Sequence, residues 1–161
     1  MTTEVKIDRQ EIENFLFKEA RLIDDEKFEE WVDLFTEDTL YWAPCNRNEI
    51  DPSREVSLVY DDKSRMLDRV WRLRSGLAYS QEPASRTRHM ISNVEIVEAG
   101  AEKVVVSSNF AIFENRRGAQ KTFAGRFEHH LRPENGSWKI AFKKVELINN
   151  DDPIDNLTFL L

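Results

Sequence analysis

With 161 residues, 40% of them hydrophobic and 33% charged, the chain has the size and composition of one globular domain, residues 1–161, with a core of its own. A net charge of −7 excludes non-specific nucleic-acid binding, which needs an excess of lysine and arginine, and no apolar run approaches the ~18 residues of a membrane span. The single cysteine, Cys45, excludes an intrachain disulfide, and the opening MTTEVKIDRQEIE lacks the apolar core of a secretory signal, so a cytoplasmic location is expected.

Charge is uneven along the chain. Residues 1–60 carry 7 basic and 16 acidic side chains, whereas residues 61–161 carry 16 and 14. The acidic half reads as solvated helix faces. Asp8 followed by Glu11 resembles a capping box, and Ile12, Phe15, Leu16, Glu19, Ala20 and Ile23 then follow helical spacing. A second helix is expected from Asp25, with Phe28, Trp31, Val32 and Phe35 as its apolar stripe. TLYWAP reads as a short strand stopped by Pro44, CNRNEIDPSRE as a loop, and EVSLVY as an extended segment.

SRMLDRVWRLRSG predicts a third helix, with Ser64 as its cap and Gly76 as its stop. Asp61 and Asp68 lie four residues before Arg65 and Arg72, a spacing that favours ion pairs on a helix. A loop with Pro83 follows. The period then changes to two, and four long strands are expected at about 88–98, 102–116, 120–132 and 137–149. Gly118 and Asn135-Gly136 mark tight turns, so consecutive strands pair antiparallel. Phe123, Gly125, Phe127, His129 and Leu131 share one face of the third of these strands; Thr122, Arg126, Glu128 and His130 share the other. The tail ends apolar, in FLL, and is expected to pack against the body. Helices followed by a run of antiparallel strands define an α+β fold, a curved sheet wrapped around helices to form a cone.

The chemistry open to such a chain is limited. A Rieske cluster needs two cysteines and two histidines, and a cysteine-based zinc site also fails with one cysteine. A mononuclear iron triad needs two histidines facing one point. Only His89, His129 and His130 exist, and the last two are neighbours on opposite faces of a strand. His89 with one of the other two leaves a metal site open, but no motif supports it, and no catalytic, cofactor or metal residue is assigned. Acid–base chemistry in the cone is the alternative, with Asp38, Tyr41, His89 and His129 as pocket candidates, as in an isomerase, a dehydratase or a small-molecule binder. Arg65, Arg69, Arg72, Arg74, Arg86 and Arg88 lie within 24 residues of one another. They read as an anion-binding wall, as ion pairs tying the third helix to the sheet, or as a subunit interface, where arginine is enriched.

One stretch is more specific than any of these patterns. Asp61 and Asp62, Met66 and Leu67, Arg69 and Val70, Arg72 to Arg74, Tyr79, Pro83, Ser85 to His89 and Asn93-Val94 occur in the order seen in the small, beta subunit of bacterial aromatic-ring-hydroxylating dioxygenases. EARLIDDEKFEEWVDLFTEDTLYWAP resembles that family's opening helices and first strand. FAGRFEHHLRPENGSWKIAFKKVELIN resembles its final hairpin, and NLTFLL its closing tail. The resemblance spans roughly residues 11–161. It implies a cone similar to the nuclear transport factor 2-like and ketosteroid-isomerase-like fold. It also implies a non-catalytic role in an α3β3 oxygenase whose large alpha subunit holds the Rieske 2Fe-2S cluster and a mononuclear Fe(II). That complex would cis-dihydroxylate an aromatic compound with electrons from NADH, delivered by a reductase, often through a ferredoxin. Arg65, Arg69, Arg72, Arg74, Arg86, Arg88 and His89 are then expected in structural ion pairs or at the subunit interface.

Overall fold

The computed structural model describes residues 6–45, 57–75, 84–149 and 159–161. Its elements are α1 (Arg9–Asp24), α2 (Phe28–Val32), β1 (Phe35–Pro44), β2 (Ser57–Asp61), α3 (Lys63–Ser75), β3 (Arg86–Ala99), β4 (Val104–Arg116), β5 (Ala119–Glu134) and β6 (Ser137–Leu147). The six strands form one sheet in the order β2-β1-β6-β5-β4-β3, antiparallel except where β1 runs parallel to β6. The α+β cone expected from the sequence is the observed architecture. The expected loop at 45–55 beyond Cys45, the position of Pro83, the helix stop at Gly76 and the start of the tail lie outside the described residues.

The Asp8 side chain accepts from the Gln10 N–H and caps α1, but Glu11 makes no return bond, so the motif is a simple cap and not a box. The apolar stripe of α1 buries Ile12, Phe15, Leu16, Ala20 and Ile23 against the sheet. Each large aliphatic among them contributes about 1.5–3 kcal/mol by leaving water.

α2 is shorter than its stripe predicts. Glu26 takes a positive φ of 58°, which delays the start to Phe28. At the other end Leu34 bonds back to Trp31, and the Leu34 carbonyl accepts from the Ile140 N–H. Phe35 therefore opens β1 instead of closing the helix, and the strand begins four residues earlier than TLYWAP suggests. α3 is capped by Asp62, whose carboxylate accepts from the Arg65 N–H, and not by Ser64. The expected Asp61–Arg65 pair does not form. Asp61 belongs to β2, where helical i, i+4 spacing has no meaning, and it pairs with Arg69 instead.

The last four strands agree with the sequence within a few residues at each end. Arg117-Gly118 and Asn135-Gly136 have positive φ throughout, the backbone of tight two-residue hairpins. On β5, Phe127, His129 and Leu131 are buried inward, as their alternation predicts, while His130 faces out against Phe142. The interior of the cone is filled by Trp31, Phe35, Tyr41, Phe127, Leu131 and the tail residues Leu160 and Leu161. Among the described residues no helix is long and apolar enough to cross a membrane.

Candidate functional site

Three polar side chains stand in a row across the inner face of the sheet. Strand register puts Tyr41 of β1 beside Lys143 of β6, Lys143 beside His129 of β5, and His129 beside Val106 of β4. Lys143 faces inward because β6 carries a bulge. Leu131 pairs with Ile140 and His130 with Phe142, so Ala141 is left over and the inward phase moves from Ile140 to Lys143, Val145 and Leu147.

Glu19 reaches this row from α1. Its Oε1 lies 2.8 Å from His129 Nε2, and its Oε2 accepts from Lys143 Nζ at 2.7 Å and from the Trp31 indole N–H at 2.9 Å. The Lys143 and Glu19 side chains are 1% and 4% exposed, so this is a fully buried ion pair. Lys143 Nζ also donates to the Leu161 carbonyl at 2.7 Å. The Tyr41 hydroxyl donates to that carbonyl at 3.1 Å and accepts the Leu161 N–H at 3.0 Å. The ammonium lies 4.6 Å from the Phe127 ring centroid and 5.5 Å from that of Tyr41, so aromatic faces complete its surroundings.

Electrostatics follow from burial and pairing. Burial alone would raise the Glu19 carboxyl, but Lys143 and His129 outweigh it and hold Glu19 well below the ordinary carboxylate range. Burial pushes the Tyr41 phenol up and the His129 imidazole down, the latter against the pull of Glu19. Burial also lowers Lys143, with Glu19 acting the other way. The consistent state at neutral pH is an anionic Glu19, a cationic Lys143 and a neutral His129 donating through Nε2. The buried Nδ1 of His129 then has no partner.

The four pocket candidates do not meet at one point. Tyr41 and His129 share the buried row. Asp38 is exposed at the rim, where it pairs with Arg132 at 3.1 Å and accepts from Thr36. His89 belongs to a second buried cluster at the end of α1. Asp24 there accepts from the His89 backbone N–H at 2.9 Å, from His89 Nδ1 at 2.6 Å and from the Thr87 hydroxyl at 3.0 Å. Those three bonds hold the Asp24 carboxyl below its usual range even though burial works against them. They tie the start of β3 to the helix. Asp24→Ala is expected to cost roughly 2–3 kcal/mol, because it leaves three donors unsatisfied. A urea midpoint unchanged from wild type would contradict this.

Sequence reasoning did not single out Glu19, Lys143 or Trp31 as members of a site. One signal was available: Glu19 is a charged residue inside an apolar helical stripe.

The arginines are dispersed. Arg69 pairs with Asp61 at 2.7 Å, and Arg74 pairs with Glu29 at 2.8 Å and lies over the Phe28 ring. Arg65 donates to the Tyr60 carbonyl. The guanidinium groups of Arg72, Arg86 and Arg88 are exposed and bond to no described residue, although the Arg72 backbone carbonyl accepts from the Ser75 hydroxyl. On β3 the SRTRH stretch alternates, with Thr87 and His89 turned in toward Asp24 and Arg86, Arg88 and Met90 turned out. No wall of converging guanidinium groups exists among the described residues. Nor do these residues contain a group of three His, Cys, Asp or Glu placed to hold a metal.

The sequence profile described as Ring hydroxylating beta subunit matches residues 18–151 of this cone-shaped chain. The chain belongs to that family. It is 36% identical to the small oxygenase component of the p-cumate 2,3-dioxygenase system of Pseudomonas putida, over 88% of this chain and 79% of that protein. It is 37% identical to the benzene 1,2-dioxygenase subunit beta of Pseudomonas putida, over 94% of this chain and 84% of that one. The crystal structure of the beta subunit of benzoate 1,2-dioxygenase from Burkholderia mallei superposes with a TM-score of 0.79 at 27% identity, covering 96% of this chain and 99% of that chain. The chain is thus a small subunit of an aromatic-ring dioxygenase, with a structural role.

Proposed function

We propose that this chain supports a large catalytic subunit in an α3β3 oxygenase and that the redox chemistry resides in that partner. The observation that carries this is the family membership together with the histidine arrangement: His89 bonds to Asp24, His129 to Glu19, and His130 faces the outside of the sheet. Three histidines on three separate errands, with one cysteine, do not fit a Rieske cluster or an iron triad in this chain. The partner then holds the 2Fe-2S cluster and the mononuclear Fe(II), takes electrons from an NADH reductase, directly or through a ferredoxin, and cis-dihydroxylates an aromatic ring. All components work in the cytoplasm. The aromatic compounds in the names of its relatives support a ring substrate for the complex.

The outward half of the SRTRH stretch belongs to the contact with other subunits. The Arg86 and Arg88 side chains are exposed, lack a partner among the described residues and share the outer face of β3 with Met90, which is 59% exposed. Arginine beside an exposed apolar side chain is a common composition for an interface core. The double variant Arg86→Ala/Arg88→Ala should keep its fold and lose most of its assembly with the large subunit, a drop of at least tenfold in co-purified partner. Normal assembly with a selective loss of turnover would overturn this and point to a catalytic role. For the complex as a whole, this chain alone should give no NADH-dependent oxidation of an aromatic substrate, and activity should appear on addition of the large subunit and reductase. Turnover by the isolated chain would refute the reading.

A further inference from the structure

We infer that the outward face of helix α3 is a contact with a second copy of this chain, in which two α3 helices lie antiparallel about a two-fold axis. The helix buries Met66 and Val70 and leaves Ser64, Leu67, Asp68, Trp71, Arg72 and Ser75 exposed. Those six positions follow i, i+3, i+4, i+7, i+8, i+11, so they form one stripe along the helix. In its middle, Leu67 and Trp71 are 51% and 61% exposed and one turn apart. A single exposed apolar side chain is ordinary. A tryptophan next to a second apolar side chain, with arginine beside it, is the composition of an interface centre.

The charges identify the occupant. Asp68 and Arg72 stand at i, i+4 with the acid on the N-terminal side, the spacing and order that favour a pair within a helix. Among the described residues neither side chain makes an ion pair or a hydrogen bond. The other cations of α3 are engaged within the chain. Arg69 pairs with Asp61 and Arg74 with Glu29, Arg65 donates to the Tyr60 carbonyl, and Lys63 donates to the Val32 and Phe35 carbonyls. The stripe thus presents one free acid and one free base beside its apolar centre. Turned end for end, it fits itself. Asp68 of each copy faces Arg72 of the other, and the two reciprocal pairs flank Leu67 and Trp71. The small serines at both ends let the helices approach. This is the self-complementarity that an isologous contact requires.

Each copy carries a net charge of −7, so long-range repulsion opposes association and the local pairs set the register. One 13-residue helix gives a small contact, below the ~1,200 Å² of standard interfaces, so the association is weak. An isologous contact does not build a threefold ring; it joins two copies, or two rings. The inference is therefore separate from the pairing with a large subunit.

The test is sedimentation equilibrium of the full chain over a wide range of concentration, with Asp68→Arg, Arg72→Asp and Trp71→Ala. All three positions are exposed, so each variant should melt close to wild type. The wild-type particle should double in mass as concentration rises. Asp68→Arg sets arginine against arginine across the axis, and Arg72→Asp sets acid against acid. Each of these, and Trp71→Ala, should weaken doubling by about tenfold or more. Mixed in equal amounts, Asp68→Arg and Arg72→Asp should double again, because every pair across the axis then has opposite signs. Co-purification of the large subunit should be unchanged in all three variants, whereas Arg86→Ala/Arg88→Ala should lose it and still double. A wild-type particle of constant mass overturns the inference. So do single variants that double like wild type, or a mixture that doubles no better than its components. Loss of the large subunit from the three variants with doubling unchanged would assign the face to that partner and overturn the inference as well. A chain that doubles as described but never takes up a large subunit would sink the subunit reading and leave this contact standing.

Discussion

Glu19→Ala is expected to destabilise the chain by about 3–5 kcal/mol, the usual cost of removing one partner from a buried charge pair. The carboxylate accepts from Lys143, His129 and Trp31 at 2.7–2.9 Å, so its loss strands an ammonium, an imidazole N–H and an indole N–H in a dry interior. Lys143→Ala should cost a similar amount by leaving Glu19 anionic and unpaired. Replacing both, as Glu19→Leu/Lys143→Met, should recover part of the loss, since an apolar pair of similar volume no longer carries the desolvation penalty. Urea denaturation of wild type, Glu19→Leu, Lys143→Met and the double variant closes the cycle. Additive losses in the double variant would mean that the two groups do not interact.

The same cluster sets the response to acid. The Glu19 pKa is depressed below the ordinary glutamate value of 4.5, so its contribution to stability is present above that pH and is lost as pH falls through and below it. His129 is lowered from 6.5 by burial, so the unfolded chain gains a proton that the folded chain refuses, and stability begins to fall already as pH drops below 6.5. The urea midpoint should therefore decline in two stages, the first as pH falls below 6.5 and the second as it falls below 4.5. His129→Gln should remove the upper stage and leave the lower one.

Gly125→Ala carries the second large effect. A Cβ on Gly125 would sit 2.0 Å from the Glu146 carbonyl oxygen and 2.9 Å from its carbon, closer than any real contact. The obstacle is backbone, so no rotamer change relieves it. β5 and β6 would have to part where Gly125 pairs with Leu147, close to the stacked rings of Phe110 and Phe127. A loss of at least ~3 kcal/mol or failure to fold is expected, beyond ordinary overpacking. Gly118→Ala offers the contrast. Nothing lies within 4 Å of its added Cβ, and only the positive φ of 75° opposes it, a cost of roughly 1 kcal/mol. Equal stability of the two variants would contradict this account of β5 and β6.

Much of the fold was legible because it is written in local periods. The stripe of α1, the Asn135-Gly136 turn and the inward set Phe127, His129 and Leu131 needed no tertiary information. What was not legible depends on contacts distant in sequence. Phe35 fits the helical stripe of α2 perfectly well. It becomes a strand residue because β6 supplies the Ile140 N–H to the preceding Leu34 carbonyl. Lys143 reads as outward when alternation is counted from Ile140 and as inward when counted back from Val145. The bulge at Ala141 decides between them, and no residue type in AFKKV announces it. The central row joins Glu19, Tyr41, His129 and Lys143, residues up to 124 positions apart. Composition named Tyr41 and His129, but Asp38 and His89 were grouped with them only because their chemistry matched. The family was legible for a different reason. The SRTRH stretch and the elements around it form an ordered pattern far more specific than any single spacing.

The most direct test of the central claim is to purify this chain, tagged, from its native host and to count iron in the eluate. The account predicts a larger iron-containing partner in one-to-one amount and aromatic-ring oxygenase activity in the complex. The tagged chain eluting alone and free of iron, with no larger partner at any salt concentration, would contradict it.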